Sequence, residues 1–124
     1  MFTLFNLFQI YNALVIGTKD YAVKNNFSNA LIGLSGGIDS ALTLTIAVEA
    51  LGPSNVTAVM MPSEYTSEQS LNDAKICSEN LGVDFEVISI KALIEEFDMS
   101  LFTQFSGLSK DVTEENLQSR IRGV

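Results

Sequence analysis

Residues 35–40, Ser-Gly-Gly-Ile-Asp-Ser, place two hydroxyls, one carboxylate and two amides without side chains in one short stretch. Glycine leaves its backbone N–H open to close approach, consecutive amides form a concave nest for anions, and hydroxyls can donate. An apolar run at 30–34 precedes the motif and helix-forming residues follow from 39 to 51, so the glycines mark a strand-to-helix junction. The positive end of the following helix would point at the same spot. Such a cradle suits a polyphosphate, held by the amides of Gly36, Gly37 and Ile38 and the hydroxyls of Ser35 and Ser40. Asp39 would repel phosphate unless it held a divalent cation bridging to the phosphate oxygens. The chemistry implied is therefore a pyrophosphate with magnesium on Asp39. The plainer alternative is a tight turn followed by an Asp39–Ser40 helix cap.

Other phosphate and nucleophile motifs fail here. Gly33, Gly36 and Gly37 do not have the G-x-G-x-x-G spacing of a dinucleotide fold. A P-loop needs a lysine directly before its hydroxyl, and the first lysine after the turn is Lys75. Gly33 to Gly37 does match the G-x-S-x-G nucleophile elbow, with Ser35 as nucleophile. That serine would need a base, normally histidine, and the sequence has none. Cys77, the single cysteine, lies in a stretch with helical spacing and reads as a small buried hydrophobe in a reducing compartment.

The elements that position the motif follow from periodicity. Residues 30–35 read as a central parallel strand, apolar on both sides, and the helix from 39 to 51 stops at Gly52-Pro53. A second buried strand spans 55–62. Thr66 with Gln69 suggests a capping box for a helix carrying Leu71, Ala74, Cys77 or Ser78, and Leu81, ended by Gly82. The alternation at 84–90 gives a third strand, 91–105 is again helical, 106–111 reads as a loop, and Asp111 with Glu114 would cap a last helix. At the other end, Phe8, Tyr11, Leu14 (or Val15) and Tyr21 suggest an amphipathic helix packed on the domain. The order is strand, helix, strand, helix, strand, helix, which predicts an α/β fold with a parallel sheet and right-handed crossovers. In such sheets ligands sit beyond the carboxyl ends of the strands, where the glycine turn and the loop after Met61 meet.

The 124 residues suit one small domain, and 47% hydrophobic against 18% charged residues indicates a globular chain. A net charge of −8 offers no basic face, which argues against a nucleic-acid partner. The apolar N-terminus lacks a basic start, and Thr3, Asn6, Gln9 and Asn12 interrupt it, so neither a signal segment nor a membrane span is expected. The expected location is the cytoplasm.

The motif at 35–40 resembles the S-G-G-x-D-S signature of the ATP pyrophosphatase, or PP-loop, superfamily. Its members include GMP synthetase, asparagine synthetase, tRNA-thiolating enzymes and NAD synthetase. Residues 33–74, above all "MPSEYTS" at 61–67, together with "DVTEENLQSRIRG" at 111–123 and "YNALVIGTKDYAVKNNF" at 11–27, are similar to the NAD synthetase family in its glutamine-dependent wording. The resemblance spans 10–124 and leaves residues 1–9 as an extension of uncertain kind. It implies a Rossmann-like sheet with helices on both faces, of the adenine nucleotide alpha-hydrolase type and apparently truncated. It implies ATP on Gly33, Ser35, Gly36, Gly37, Ile38, Asp39 and Ser40, with Asp39 on magnesium, Met61 beside Met60 flanking the adenosine, and Thr66 near the nucleotide. Arg120, Arg122 and Asn116 would bind deamido-NAD, amidated with ammonia or glutamine nitrogen. Family members are dimers, so a homodimer or higher homo-oligomer is implied, and this chain would be inactive alone. The competing readings are a stand-alone nucleotide-binding or interaction module, or another amidating PP-loop enzyme.

Overall fold

The computed structural model describes residues 3–105 and 112–124. Strands β1 (Ala30–Gly33), β2 (Val56–Met60) and β3 (Asp84–Val87) form one parallel sheet in the order β1-β2-β3. Ala30 is in register with Val56, and Thr57 with Asp84. Helix α2 (Ile38–Leu51) links β1 to β2, and α3 (Glu68–Leu81) links β2 to β3. Because both right-handed crossovers step in the same direction, α2 and α3 lie on one face of the sheet.

That face holds the main core. Val56, Ala58 and Met60 of β2 meet Leu44 and Ala47 of α2, Ala74 of α3, and Leu34. Leu44 and Ala74 are fully enclosed. Ser78 is buried as well and returns its hydroxyl proton to the Ala74 carbonyl at 2.9 Å, as a buried hydroxyl must. Cys77 is only half-buried against this cluster, so its side chain is less enclosed than its spacing predicted.

The strand order corrects one expectation. Burial alternates along β2 with the even positions inside, whereas β1 lies at a sheet edge among the described residues, and Leu31 is 75% exposed. Among the described residues the apolar run at 30–34 is therefore paired on one side only. Its ladder continues one step past Gly33, where Leu34 N–H donates to the Val59 carbonyl at 2.9 Å. β3 ends earlier than predicted, at Val87. Its chain still follows β2, with Ile88 N–H on the Met60 carbonyl at 2.8 Å and Ile90 N–H on the Pro62 carbonyl at 3.0 Å.

Helix α1 (Leu4–Lys24) begins at a reciprocal Thr3–Asn6 capping box, so residues 4–9 continue the same helix as the residues after them. It packs on α2. The stripe facing inward is Tyr11, Val15 and Ala22; Phe8, Leu14 and Tyr21 face out. A helix apolar on several sides does not reveal by spacing which stripe is inside. Helices α4 (Lys91–Phe105) and α5 (Val112–Arg122) meet in a second cluster of Ile90, Ile94 and Ile121, with Met61 and Leu117 against it. The predicted loop at 106–111 and the Asp111–Glu114 cap lie outside the described residues. No helix among the described residues is long and apolar enough to cross a membrane.

Candidate functional site

The glycine turn sits where β1 hands over to α2. Gly36 has φ +82°, and Gly37 is the N-cap of α2 without a side-chain cap bond. The alternative Asp39–Ser40 cap is not formed, because the helix has already begun at Ile38. Ser40 instead reaches back, donating its hydroxyl proton to the Gly37 carbonyl at 2.9 Å and accepting from Ser35 N–H at 3.1 Å. That commits its only proton. In the 2.9 Å contact between the two hydroxyls, Ser35 is therefore the donor. Ser35 Oγ also accepts from Gly37 N–H at 3.2 Å, which closes the ring.

This ring changes two expectations. Gly37 N–H is engaged by Ser35 and is not bare, and both serine protons are spent on the loop rather than offered outward. The amides left without intrahelical acceptors are those of the first turn, Ile38, Asp39 and Ser40, since the first helical bond is Ala41 N–H to the Gly37 carbonyl at 3.1 Å. Asp39 is exposed within that turn, where its charge also complements the helix dipole.

Beyond the strand ends lies a hollow of about 340 Å³, lined by Gly33, Ser35, Val59, Met61, Thr66 and Arg122 among others. Four separate segments reach it: the end of β1, the end of β2, the turn before α3, and the last turn of α5. Met61 lies both on the wall of the hollow and against the second core cluster; Met60 also lines the hollow, though it is 2% exposed and belongs to the main core. Thr66 does not cap α3 with Gln69. Its Oγ1 accepts from Ser63 N–H at 2.9 Å and Thr66 N–H donates to the Ser63 carbonyl at 3.1 Å, closing a turn. Ser67 takes the capping role.

Arg122 anchors the far wall, its Nε donating to the Met61 carbonyl at 3.2 Å. Arg120 and Asn116 are not brought to this hollow. Successive helix positions are rotated by about 100°, so Arg120 cannot share a face with Arg122. Arg120 and Asn116 lie four residues apart on an exposed side of α5. Val59 also lines the hollow and belongs to no motif in the sequence. Its period-two alternation with the buried positions of β2 was the available signal.

A profile of the NAD synthase family matches residues 10–124. The chain belongs to the NAD synthase family. It is 47% identical over 115 residues to a glutamine-dependent NAD(+) synthetase of Thermotoga maritima, covering 93% of this chain and 20% of the relative. The glutamine-dependent NAD+ synthetase of Acinetobacter baumannii, solved in complex with ADP, superposes with a TM-score of 0.89 at 47% identity, over 92% of this chain and 22% of that one. An NH3-dependent NAD synthetase of Campylobacter jejuni gives 0.78 at 28% identity, covering 92% of this chain and 47% of that one. The chain thus spans about a fifth of the length of the curated relatives it matches. The Rossmann-like parallel sheet of this NAD synthase family member agrees with the fold predicted from sequence.

Whether magnesium suits the turn can be judged from its donors. Among the described residues no three His, Cys, Asp or Glu side chains gather as a metal cage. Magnesium does not need one, since it is commonly held by one or two carboxylates together with substrate phosphates. An exposed Asp39 beside the glycine turn fits that mode.

Proposed function

We propose that this chain forms the ATP-binding part of an enzyme that amidates deamido-NAD to NAD, with ammonia or glutamine as nitrogen source. The observation that carries it is the convergence of the glycine turn, Met61, Thr66 and Arg122 on one hollow in a chain of the NAD synthase family. The relative holding ADP supports an adenine nucleotide as ligand. In the proposed reaction the nicotinate carboxylate attacks the α-phosphorus of ATP, pyrophosphate leaves, and ammonia displaces AMP from the adenylated carboxyl. This chain's part is positioning and charge neutralisation. The amides of Ile38, Asp39 and Ser40 face a phosphate, Met61 and Thr66 border the adenosine side, and Arg122 presents a cation. Asp39 would hold magnesium, whose charge offsets that on the phosphate oxygens. Arg120 and Asn116 would meet deamido-NAD on the outer face of α5.

Calorimetric titration of the chain with ATP tests this reading. Binding strengthened by magnesium is expected, with Asp39→Ala weakening it about tenfold and removing the magnesium dependence, the scale of one charge-assisted contact. A folded chain that binds no ATP, or binds it equally with and without Asp39, would refute it.

The same proposal includes a cytoplasmic homo-oligomer. The exposed apolar residues Leu4, Phe5 and Phe8 of α1 and Leu31 of β1 support self-association. Sedimentation that shows only monomer at every concentration would remove this part.

A further inference from the structure

The glycine turn is braced by its own serines and also from α3. A side-chain carbon on Gly36 would meet the Ser70 carbonyl oxygen and lie 2.8 Å from its Cα and 2.9 Å from its carbonyl carbon, so the backbone of the first turn of α3 presses directly on the glycine. What holds that turn in place is local. Ser67 Oγ accepts from Ser70 N–H at 3.1 Å and contacts Ser70 Oγ at 2.9 Å, while Leu71 N–H donates to the Ser67 carbonyl at 3.2 Å. Ser67 directly follows Thr66, whose hydroxyl closes the Ser63 turn on the wall of the main hollow. One short run of chain therefore touches the hollow at Thr66, is capped at Ser67, and presses on the glycine turn at Ser70.

We infer that Ser67 is a positioning residue: by capping α3 it holds the Ser70 backbone against Gly36, so that the turn bordering the hollow at Thr66 and the phosphate turn move as one unit. Its consequence for nucleotide affinity rests on the ATP reading above; the mechanical coupling does not. Ser70 contributes through its backbone, the part that meets Gly36; its hydroxyl touches Ser67 Oγ but lies off the path from the cap to the glycine, which the Ser67 bond to Ser70 N–H carries.

Amide hydrogen exchange in the chain separates these possibilities. The probes are the Ser35 and Gly37 amides, both hydrogen-bonded within the glycine turn, with the central amides of β2 as reference. In Ser67→Ala the two probes are expected to exchange up to about fivefold faster, the population shift that loss of a typical N-cap produces. The β2 amides should be unchanged, and Ser67→Thr, which still caps, should restore the original rates. Ser70→Ala should leave the probes unchanged. ATP titration of the same variants should show affinity falling and recovering with the exchange rates. Faster exchange confined to the first turn of α3 would overturn the inference, as would a Ser70→Ala variant as disturbed as Ser67→Ala. If the original chain binds no ATP, the nucleotide reading fails, and exchange still decides the coupling.

Discussion

Gly36→Ala is expected to destabilise the chain by about 2 to 5 kcal/mol and to abolish the ATP binding proposed for the glycine turn. Two costs combine. An L-residue at φ +82° costs about 1 to 2 kcal/mol. The new methyl also meets the Ser70 backbone, which cannot rotate away as a side chain would, so α3 must move and add an overpacking cost of about 1 to 3 kcal/mol. Two neighbouring substitutions isolate these costs. Gly82 closes α3 at φ +67° with nothing within 4 Å, so Gly82→Ala should show only the conformational cost. Gly37 has φ −92°, and a carbon there would lie 3.3 Å from the Ser35 hydroxyl, a side-chain atom that can give by a few tenths of an ångström where backbone cannot, so Gly37→Ala should be the mildest. Urea midpoints for the three variants give the ranking. Gly36→Ala no worse than Gly82→Ala would mean that the contact with α3 carries no weight.

Leu44→Ala is expected to cost about 3 to 5 kcal/mol, a large part of the stability of a small domain. Leu44 is fully enclosed, on the α2 face that meets Val56, Ala58 and Met60. Removing three carbons there leaves a cavity walled by helices and strands that cannot collapse into it. The effect should extend to the proposed ATP binding, because α2 carries the Gly37 cap and Asp39 in its first turn. A lower urea midpoint with unchanged slope would confirm a pure stability loss. A loss under 1 kcal/mol would show that α2 repacks freely and does not hold the site rigidly.

What could be read from sequence was local, and what could not was set by distant partners. Gly52-Pro53 and Gly82 end helices by their own backbone chemistry, and the structure places both ends as predicted. The apolar run at 30–34 identified a strand, but whether that strand is central or at an edge depends on which others pair with it. The stretch 63–70 offers four serine and threonine hydroxyls within one span, and Thr66 and Ser67 compete for a single capping position. Propensity does not separate them; the turn closed on Ser63 does. Within the site, the Ser-Gly-Gly-Ile-Asp-Ser motif was legible because it is contiguous. The ring that engages its serines was not, since proton direction follows from three-dimensional distances. The partition of Arg120 from Arg122 needed the rotation of α5 relative to β2.

The bond from Arg122 to the Met61 carbonyl also bears on the affinity for the anion proposed to bind in the hollow. A free arginine side chain loses up to about 2 kcal/mol of rotamer entropy when it is immobilised. Here Nε is already held by a carbonyl 61 residues away, while the terminal nitrogens keep their protons. Much of the ordering cost is thus met when the chain folds, not when an anion arrives. Preorganisation of this kind raises affinity without adding a contact. A lysine at the same place would bring equal charge but no second nitrogen to fix it, so it would have to be ordered by the ligand itself.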